Sequence, residues 1–507
     1  MIGSATVREH FPTHEMSWMV TILFMAETVE KICNQIKKQF TLFLWVQYNL
    51  LMRDSLYEGL YSKFTDEIRT GRLKAGSKMP SVRHCAEENG VSRNTVLGAY
   101  SLLLSEGYIN SRERSGYYVA NFESPIPSLL PAGRRPQPKK EEPKAQGRNL
   151  SANLIDSSLF PYSTLRQLYR ETLSGKNISI LGQSGQNMGD EDIRLSISDY
   201  VYNHKGISCS ADQIIIGNGT SYHLQALPSL FDEKPVFLME NPGFASTREI
   251  VSDTGCQIRD IALDDEGASI KDIRRKTTDL QGNVLLHISP SHQFPMGITM
   301  SAPRRAAVLD WAKAKEGRYI IEDDYDSDFR YNGHPIASVC GMDTDGKVIY
   351  LGTFSRTLTP SIRLSYMILP PALLDIYRKR FSKYPCPVSR IDQKVVSLFM
   401  DNGFFERHIS RMRRVYRTRR NRMIEVIQKA VPSAEIRGEE AGLHFIVRFP
   451  LSEKEIIRRA LEADFKLQGT GTGWVVIGYA HLSDEQIDRF SDFLRTLTPL
   501  EQTSRLV

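Results

Sequence analysis

A stretch rich in proline and charge, residues 122–150, interrupts the apolar patterning of this 507-residue chain. Its six prolines alternate with pairs of like charge, such as Lys139-Lys140 and Glu141-Glu142. A sequence of this kind has little apolar surface to bury and is typical of an extended tether. The chain is also too long for one ordinary domain. It is therefore predicted to carry a small domain at 51–121, a linker at 122–150 and a large domain at 151–507.

The segment before the small domain, residues 1–50, is predicted to be an extension of unknown role. Its apolar runs fall short of the roughly 18–20 residues that are needed to span a bilayer, so no membrane association is expected. Two interpretations stay open. The segment is either an extra piece from a misplaced start or an amphipathic addition that packs on a dimer or a partner.

Composition excludes several classes of protein. With 41% hydrophobic and 24% charged residues, the chain is typical of a soluble globular protein. The net charge of +6 permits nucleic-acid binding without arguing for it. The six cysteines have neither CxxC nor metal-ligand spacing. They predict reduced thiols in the cytoplasm, no disulfide framework and no metal site.

Residues 55–118 have the capping and turn residues that are typical of two short helices and a hairpin. Ser81 can cap a helix at 82–89, and Ser92 can cap a second helix at 93–106. Two helices joined by a short turn that contains glycine form a helix-turn-helix, whose second helix lies in the DNA major groove. The hairpin that follows is predicted to be a wing.

The first turn of the second helix carries side chains that can recognise bases. Arginine can donate two hydrogen bonds to guanine, and asparagine can pair with adenine in a similar way. Arginines on the preceding helix and in the wing are placed to hold phosphates. The alternative is a helical hairpin with a solvated polar face. The predicted DNA-binding residues are Arg83, Ser92, Arg93, Asn94, Thr95, Arg112, Arg114 and Gly116.

The stretch 56–119 resembles the GntR family of winged-helix regulators. The motifs that carry the resemblance are Leu73-x-x-Gly76-x-x-x-Pro80-Ser81-x-Arg83 and Gly90-Val91-Ser92-Arg93-Asn94-Thr95-Val96, followed by Glu106-Gly107-Tyr108. The resemblance implies a sequence-specific DNA-binding protein whose partner is double-stranded operator DNA.

Beyond residue 150, apolar runs alternate with helical patterns. Buried strands of parallel sheets have this continuous apolar character. The pattern predicts a doubly wound α/β sheet, with a smaller C-terminal α/β part from about residue 386. The predicted strands, all taken as parallel, are 213–216, 236–239, 284–288, 319–321, 348–351 and 364–369.

Polar residues follow several of these strands. Gly217-Asn218-Gly219-Thr220-Ser221 joins a strand to a helix, a place where backbone amides and hydroxyls can hold a phosphate. Glu322-Asp323-Asp324-Tyr325 follows another strand, and Thr353-Phe354-Ser355-Arg356 follows a third. Taken singly, each residue is explained at least as well as a polar group that satisfies the backbone at a strand end.

Taken together, these segments resemble the large domain of the fold-type-I, pyridoxal-phosphate-dependent aminotransferases. More narrowly, the chain resembles the MocR (GabR-like) branch of GntR regulators, which fuse such a domain to a winged helix. This resemblance covers about residues 56–497. Its narrower motifs are Ser289-Pro290-Ser291-His292-Gln293-Phe294-Pro295, Ile321-Glu322-Asp323-Asp324-Tyr325-Asp326-Ser327 and Leu351-Gly352-Thr353-Phe354-Ser355.

The resemblance implies a role toward pyridoxal phosphate for each pocket residue. Asp323 would pair with the pyridine nitrogen and Tyr325 with the ring oxygen, while Phe244 would stack on the ring. A carboxylate stabilises a protonated ring nitrogen, and hydroxyls with an arginine bind a dianion. The residues that are implied to hold the phosphate are Thr220, Ser221, Ser355 and Arg363.

Arg356 stands where the family has its Schiff-base lysine, directly after Ser355. A guanidinium stays protonated and its lone pairs are delocalised, so it cannot attach the cofactor covalently. No catalytic residue is therefore predicted, and pyridoxal phosphate, if bound, would be held non-covalently. Two smaller departures are Ser365, where the family pattern has glycine, and Val476, where aminotransferases have the arginine that binds the substrate carboxylate.

Arg356 has three interpretations. It clamps the cofactor, or a ready-made adduct of cofactor and amino acid, through a phosphate or carboxylate. It serves a different anionic ligand. Or the gene is decaying, since a single base change can convert lysine to arginine.

The leading prediction is a cytoplasmic regulator of transcription, similar to bacterial ones, that senses a small-molecule effector and assembles as the family's head-to-tail homodimer. The alternative is an active aminotransferase with an accessory DNA-binding module, which Arg356 disfavours. A third possibility is a large domain that only dimerises. Eight arginines between 407 and 422 lie on one predicted helix, 406–429. They form either a solvated or ion-paired face or a second DNA-contacting surface.

Overall fold

The computed structural model describes residues 57–121, 148–152, 154–175, 182–331 and 337–497. Contacts divide the chain into two units, Met1–Glu142 and Pro143–Val507. The predicted extension and nearly all of the predicted linker lie outside the described residues, so the domain boundaries stay predictions. Of the helices that the structure describes, none is long and apolar enough to cross a membrane.

The first unit is a winged helix-turn-helix, as the sequence predicts. The Ser81 side chain accepts a hydrogen bond from the His84 amide, and the Ser92 side chain accepts one from the Thr95 amide. Gly90 ends the first capped helix at φ +63°, in the left-handed region that glycine adopts without steric cost. The elements are α1 at 57–69, α2 at Val82–Asn89, α3 at Arg93–Ser105, β1 at Ile109–Arg112 and β2 at Gly116–Val119.

Tyr100 of α3 connects the elements of this unit. Its ring is fully buried and lies edge-on to Phe64 of α1 at 5.7 Å and to Tyr117 of β2 at 5.1 Å. Its hydroxyl donates a hydrogen bond of 2.9 Å to the carbonyl of Pro80, just before the cap of α2. One side chain therefore fixes the position of α3 against both helices and the wing.

Replacing Tyr100 by alanine is expected to destabilise the first unit by about 3–5 kcal/mol, because a large buried aromatic ring leaves a cavity. Leu104→Ala on the same helix is the matched control. Leu104 is 41% exposed, so its loss should cost less than about 1 kcal/mol. Hydrogen exchange of α3 peptides in the intact protein, followed by mass spectrometry, measures both local stabilities. Equal protection in the two variants would contradict this role of Tyr100.

The second unit is built on an eight-stranded sheet in the order β4-β11-β10-β9-β8-β5-β6-β7. The five strands β10, β9, β8, β5 and β6 are parallel, and β11 and β7 are antiparallel to their neighbours. The strands of this unit are β3 at Arg148–Asn149, β4 at Ile214–Gly217, β5 at Val236–Asn241, β6 at Ile258–Asp264, β7 at Gly267–Ala268, β8 at Val284–Ile288, β9 at Arg318–Asp324, β10 at Val348–Thr353, β11 at Ser365–Ile368, β12 at Glu435–Arg437, β13 at His444–Arg448, β14 at Phe465–Lys466, β15 at Gln468–Gly469 and β16 at Val475–Gly478.

The direction of β11 corrects the sequence prediction. The apolar run at 364–369 was expected to be parallel, but β11 pairs antiparallel with both β10 and β4. A connection between parallel strands requires a long crossover, usually an α-helix. Residues 354–364, which join β10 to β11, contain no such helix. β6 was missed because Ile261 alone among its residues is buried, so the strand has no continuous apolar run.

Both faces of the large sheet are covered. Ile349 and Leu351 of β10 pack in one apolar cluster, whereas Tyr350 between them packs in another, because successive side chains of a strand point to opposite faces. The helices of this unit are α4 at Tyr162–Thr172, α5 at Glu191–Lys205, α6 at Thr220–Ala226, α7 at Ala245–Asp253, α8 at Ile270–Lys276, α9 at Ala302–Lys313, α10 at Val339–Met342, α11 at Pro371–Arg380, α12 at Arg390–Asp401, α13 at Phe404–Ala430, α14 at Glu453–Glu462 and α15 at Asp484–Arg495.

A second, smaller sheet in the order β12-β13-β16-β15 forms the C-terminal part of the unit. Its buried face packs on α13 and α15, where Tyr416 and Phe490 belong to the same cluster as Phe445 of β13. This is the smaller α/β part that the sequence predicts.

Most arginines of α13 bind carbonyl or carboxylate groups of the second unit. Arg413 donates to the carbonyl of Asp328, Arg419 pairs with Asp156 at 2.6 Å, and Arg422 pairs with Asp488 at 2.7 Å. Guanidinium groups that are already held by protein acceptors have fewer donors for phosphate oxygens. This arrangement favours the ion-paired hypothesis over a second DNA surface. The arginines with such contacts are Arg407, Arg411, Arg413, Arg417, Arg419, Arg420 and Arg422.

Candidate DNA interface and cofactor pocket

Four of the residues predicted to contact DNA are exposed at two places of the first unit. Arg93 and Asn94 lie in the first turn of α3, where a recognition helix meets base edges. Arg112 and Arg114 lie in the wing, and the Arg112 guanidinium is 4.3 Å from the centre of the Tyr118 ring. These four side chains are accessible to a duplex.

The other four are engaged within the first unit. Thr95 is buried and its hydroxyl lies 2.8 Å from Ser92 Oγ, so both residues belong to the cap of α3. Gly116, at φ +102°, serves the turn of the wing. Arg83 pairs with Glu87 at 3.0 Å, but both side chains are exposed. Exposed pairs of this kind are weak, so Arg83 can still exchange its partner for a phosphate.

The predicted pocket residues of the second unit lie at one edge of the large sheet. β4, β5, β9 and β10 run in the same direction, so their carboxyl ends share that edge. Thr220 follows β4, Phe244 follows β5, Tyr325 follows β9 and Ser355 follows β10. Arg363 precedes the antiparallel β11, which begins at the same edge. Open α/β sheets bind their ligands there.

Asp323, near the end of β9, is only 6% exposed. Its Oδ2 lies 3.4 Å from Nε2 of His287 on the neighbouring β8. Its Oδ1 has no hydrogen-bond partner among the described residues. A buried carboxylate oxygen in this situation is destabilising unless a donor is supplied. The protonated ring nitrogen of pyridoxal phosphate is such a donor, so Asp323 fits the role that the resemblance implies.

A second buried acidic group, Glu240, interacts electrostatically with Asp323. Burial raises the pKa of Glu240 on β5 to about 7, against an ordinary value of 4.5, and the charge of His287 opposes this shift. Glu240 Oε2 accepts a hydrogen bond of 3.2 Å from the Ser289 amide. Glu240 and His287 were not identified from the sequence, because each lies inside an apolar strand whose pattern gives no sign of a polar contact.

Tyr325 is held by the buried His292, which is itself held by the buried Asp326. Its hydroxyl lies 3.1 Å from His292 Nδ1, and Asp326 Oδ2 lies 2.9 Å from the same nitrogen. Burial raises the pKa of Tyr325 well above its ordinary value, so the phenol keeps its proton and can hydrogen-bond a ring oxygen. His292 and Asp326 were quoted within the sequence motifs but were given no role there.

His292, Asp326 and His444 also form a buried group whose nitrogen and oxygen atoms lie within 4.8 Å of one another, a spacing that could hold a metal ion. Burial lowers the pKa of His444 well below its ordinary value, and the charge of His292 adds to this effect. The prediction of no metal site rested on cysteine spacing, which carries no information about residues this far apart in sequence.

The turn after β4 is shaped around Arg363. A Cβ atom at Gly219 would lie 2.4 Å from Nη2 of Arg363, so only glycine lets the guanidinium approach the start of α6. Ser365 Oγ accepts from the Gly219 amide and donates to the Gly217 carbonyl, both at 3.0 Å. Ser365, a departure from the family pattern, therefore tightens the same turn. An arginine beside the backbone and the hydroxyls of a helix start is suited to a phosphate dianion.

Aromatic rings form one wall of the pocket. Phe244 stacks on Phe294 with the ring centres 4.2 Å apart and lies edge-on to Tyr325 at 5.1 Å. Val476 is fully buried in the same cluster as Phe294, with Phe244 and Tyr325 packed against it. Val476, predicted to replace the carboxylate-binding arginine of aminotransferases, therefore lies in an apolar cluster.

Arg356 is half-buried among the ring-binding residues. Burial lowers the pKa of its guanidinium, and the charges of Asp326, Tyr325 and Asp323 oppose that shift. The structure thus brings Arg356 within electrostatic range of the two residues predicted to hold the pyridine ring. Arg356 is therefore a positive charge close to this pair, and its equivalence to the family's lysine stays a prediction.

Comparison with known proteins agrees with this geometry. Residues 56–119 match the family described as bacterial regulatory proteins, gntR family, and residues 156–494 match aminotransferase class I and II. The chain belongs to the MocR-like family of GntR regulators. It is 35% identical over 443 residues to the HTH-type transcriptional regulator YdeL of Bacillus subtilis, covering 85% of this chain and 94% of that protein. Members of this family are DNA-binding regulators of transcription, and so is this chain.

Two further proteins, a curated relative and a solved structure, are similar to this chain. The probable rhizopine catabolism regulatory protein MocR of Rhizobium meliloti is 30% identical over 426 residues, covering 80% of this chain and 84% of that protein. Among solved structures, the multiple substrate aminotransferase of Thermococcus profundus superposes with a TM-score of 0.62 at 23% identity, covering 73% of this chain and 96% of that one. The second unit therefore has the aminotransferase fold.

The two kinds of predicted DNA contact should differ in their response to sequence and salt. Arg112→Ala, which removes a phosphate contact, should weaken binding to all duplexes and flatten the slope of log affinity against log salt by about one. Asn94→Ala should cost about 1–3 kcal/mol on the preferred operator alone. Fluorescence anisotropy with an operator selected in vitro measures both, and Arg489→Ala on α15 is the control. Loss of sequence preference in Arg112→Ala would contradict the assignment.

The buried Glu240 should make the second unit less stable as pH rises. Since the folded pKa of about 7 lies above the ordinary 4.5, the folded state binds the extra proton between these values. The stability that this proton contributes is complete below about pH 4.5. It is lost as the pH rises through about 7, by at most about 1.4 kcal/mol per pH unit. Relative to wild type, Glu240→Gln should abolish this loss, whereas exposed Glu249→Gln should keep it. Urea denaturation, followed by fluorescence of the buried Trp311 and Trp474, tests the difference.

Proposed function

We propose that the large domain of this regulator senses pyridoxal 5′-phosphate, or its adduct with an amino acid, without covalent attachment. The observation that carries the proposal is that Arg356 lies within electrostatic range of Asp323 and Tyr325, the residues proposed to bind the ring. The family resemblance assigns Arg356 to the position of the lysine. A decayed pocket would not be expected to keep a buried, unpartnered Asp323 oxygen, since nothing would compensate its cost.

Each group of the ligand would meet a matching residue. When bound, pyridoxal phosphate supplies an aromatic ring with a basic nitrogen, a phenolic oxygen and a dianionic phosphate. Asp323 would bind the nitrogen, and Tyr325 the oxygen. Phe244 would cover the ring. The residues proposed for the phosphate are Thr220, Ser221, Ser355 and Arg363.

The ligand also needs a partner for any group that extends from the ring toward Arg356. A guanidinium can form a bidentate pair with a carboxylate, so an adduct with an amino acid would suit it. Val476, in its apolar cluster, would contribute no charge to such a ligand. Because Arg356 cannot link to the cofactor, we propose that the domain is not an aminotransferase. A different anion in the same pocket remains the competing ligand class.

The remaining parts of the proposal concern assembly. Class I and II aminotransferase domains are generally dimeric, and we propose that this regulator is a head-to-tail homodimer. The proline-rich segment 122–150, at about 3.1 Å per residue when extended, would let each DNA-binding domain reach the other subunit. A protein that works on operator DNA would act in the cytoplasm.

A cofactor titration of wild type beside Arg356→Lys tests the proposal. Calorimetry should detect pyridoxal phosphate binding to both proteins, and the absorbance of a covalently linked cofactor should be gained by the lysine variant alone. Arg363→Gln should weaken binding by about 10- to 100-fold, since a hydrogen-bonded charge pair contributes about 1.5–3 kcal/mol. Arg380→Gln, at an exposed site of α11, is the control.

The contradicting outcomes are distinct. If neither wild type nor the lysine variant binds pyridoxal phosphate, the pocket takes a different anion or none. If wild type gains the covalent absorbance, another amine attaches the cofactor and the proposal is wrong about Arg356.

A further inference from the structure

The second helix of the helix-turn-helix, α3, exposes an apolar side chain beside the two polar residues that are predicted to read bases. Leu97 is 41% exposed. Other apolar residues of α3, such as Val96 and Tyr100, belong to the apolar cluster of the first unit, and Leu97 does not. Single exposed leucines are common on protein surfaces, so the exposure of Leu97 becomes informative only through its position.

The position of Leu97 follows from the geometry of the helix. Successive residues of an α-helix are rotated by about 100°, so Arg93, Leu97 and Asn94 lie at about 0°, 40° and 100° around the axis of α3. Leu97 is therefore inside the arc between the two polar residues and one turn further along the helix. The residues on the opposite side of α3 are buried, namely Thr95, Val96, Ala99 and Leu103. Leu97 thus lies on the face of α3 that a duplex would meet.

The chemistry of leucine limits what this residue can recognise in DNA. The side chain neither donates nor accepts hydrogen bonds, so it cannot read the polar edges of guanine, adenine or cytosine. The apolar group that base edges present in the major groove is the C5-methyl of thymine. Burying a methyl group against an apolar side chain is favourable. A leucine against a polar base edge would instead displace water without replacing its hydrogen bonds, which is costly.

We infer that Leu97 reads the C5-methyl group of a thymine in the operator, within about two base pairs of the base that Arg93 contacts. The separation follows because four residues of helix advance by about 6 Å, while successive base pairs are about 3.4 Å apart. The inference concerns the DNA-binding domain alone and requires only that α3 enters the major groove, as the second helix of a helix-turn-helix does. It does not depend on the ligand proposed for the large domain, so each can fail without the other.

Deoxyuridine tests this contact, because it lacks the methyl group of thymidine and keeps the same base pairing. The full-length protein is titrated by fluorescence anisotropy with an operator selected in vitro. It is also titrated with copies of that operator in which each thymine in turn is replaced by uracil. At least one replacement should lower the affinity by about 4-fold, as expected for the loss of one buried methyl group. Thymines outside the contact provide the baseline.

Variants identify the side chain that is responsible. Leu97→Ala should lower the affinity for the unmodified operator by at least about 4-fold and should bind the thymine and uracil operators equally. Its slope of log affinity against log salt should stay as in wild type, because no phosphate contact is lost.

Leu104→Ala is the matched control. Leu104 is also 41% exposed on the same face of α3, but it lies about 10 Å further along the helix axis than Leu97. This variant should keep the full response to uracil substitution. The Tm of each variant without DNA shows whether the substitution disturbs the fold.

Three results would overturn the inference. The first is an operator in which every thymine can be replaced by uracil without loss of affinity. The second is a sensitive thymine that stays equally sensitive in Leu97→Ala, because another side chain would then contact its methyl group. The third is a Tm of Leu97→Ala well below the values for wild type and Leu104→Ala, which would indicate that Leu97 packs within the protein.

Discussion

The common direction of β4, β5, β9 and β10 determines where the chemistry of the second unit lies. Parallel strands deliver their carboxyl ends to one edge, and the polar residues that follow them meet there although they are far apart in sequence. The reversed strand β11 begins at the same edge, and Arg363 just before it lies at the start of α6. The sheet edge therefore brings together Asp323, Tyr325 and Arg363, the residues proposed to hold a ring and a phosphate.

A buried edge of this kind concentrates charges that must be balanced. Asp323 and Asp326 both carry an oxygen without a hydrogen-bond partner among the described residues, and Arg356 lies among them. The family resemblance assigns a reactive lysine to the position of Arg356. A guanidinium is permanently charged and unreactive, so under the proposed function the pocket keeps its positive charge and loses covalent attachment.

The sequence predicts the features of this arrangement that depend on residues close together in the chain. The caps at Ser81 and Ser92 and the strand-end motifs are local patterns, and the structure has them in place. Contacts between distant residues were missed. The support of Tyr325 by His292, and of Asp323 by His287, depends on register between strands. The predicted direction of β11 was also wrong. An apolar run indicates that a strand is buried, but not whether it runs parallel or antiparallel to its neighbours.

The arginines of α13 make this helix a stiff connection between the two sheets. At its first half it holds the carbonyls of Asp328 and Tyr331, in the segment that begins with Tyr325 and Asp326. At its second half Arg422 holds Asp484 and Asp488 of α15. A helix of 27 residues is about 40 Å long. A tilt of about 3° at the end near Asp328 would displace the far end by about 2 Å, so any shift of the segment after β9 that this helix followed would be enlarged at its C-terminal end.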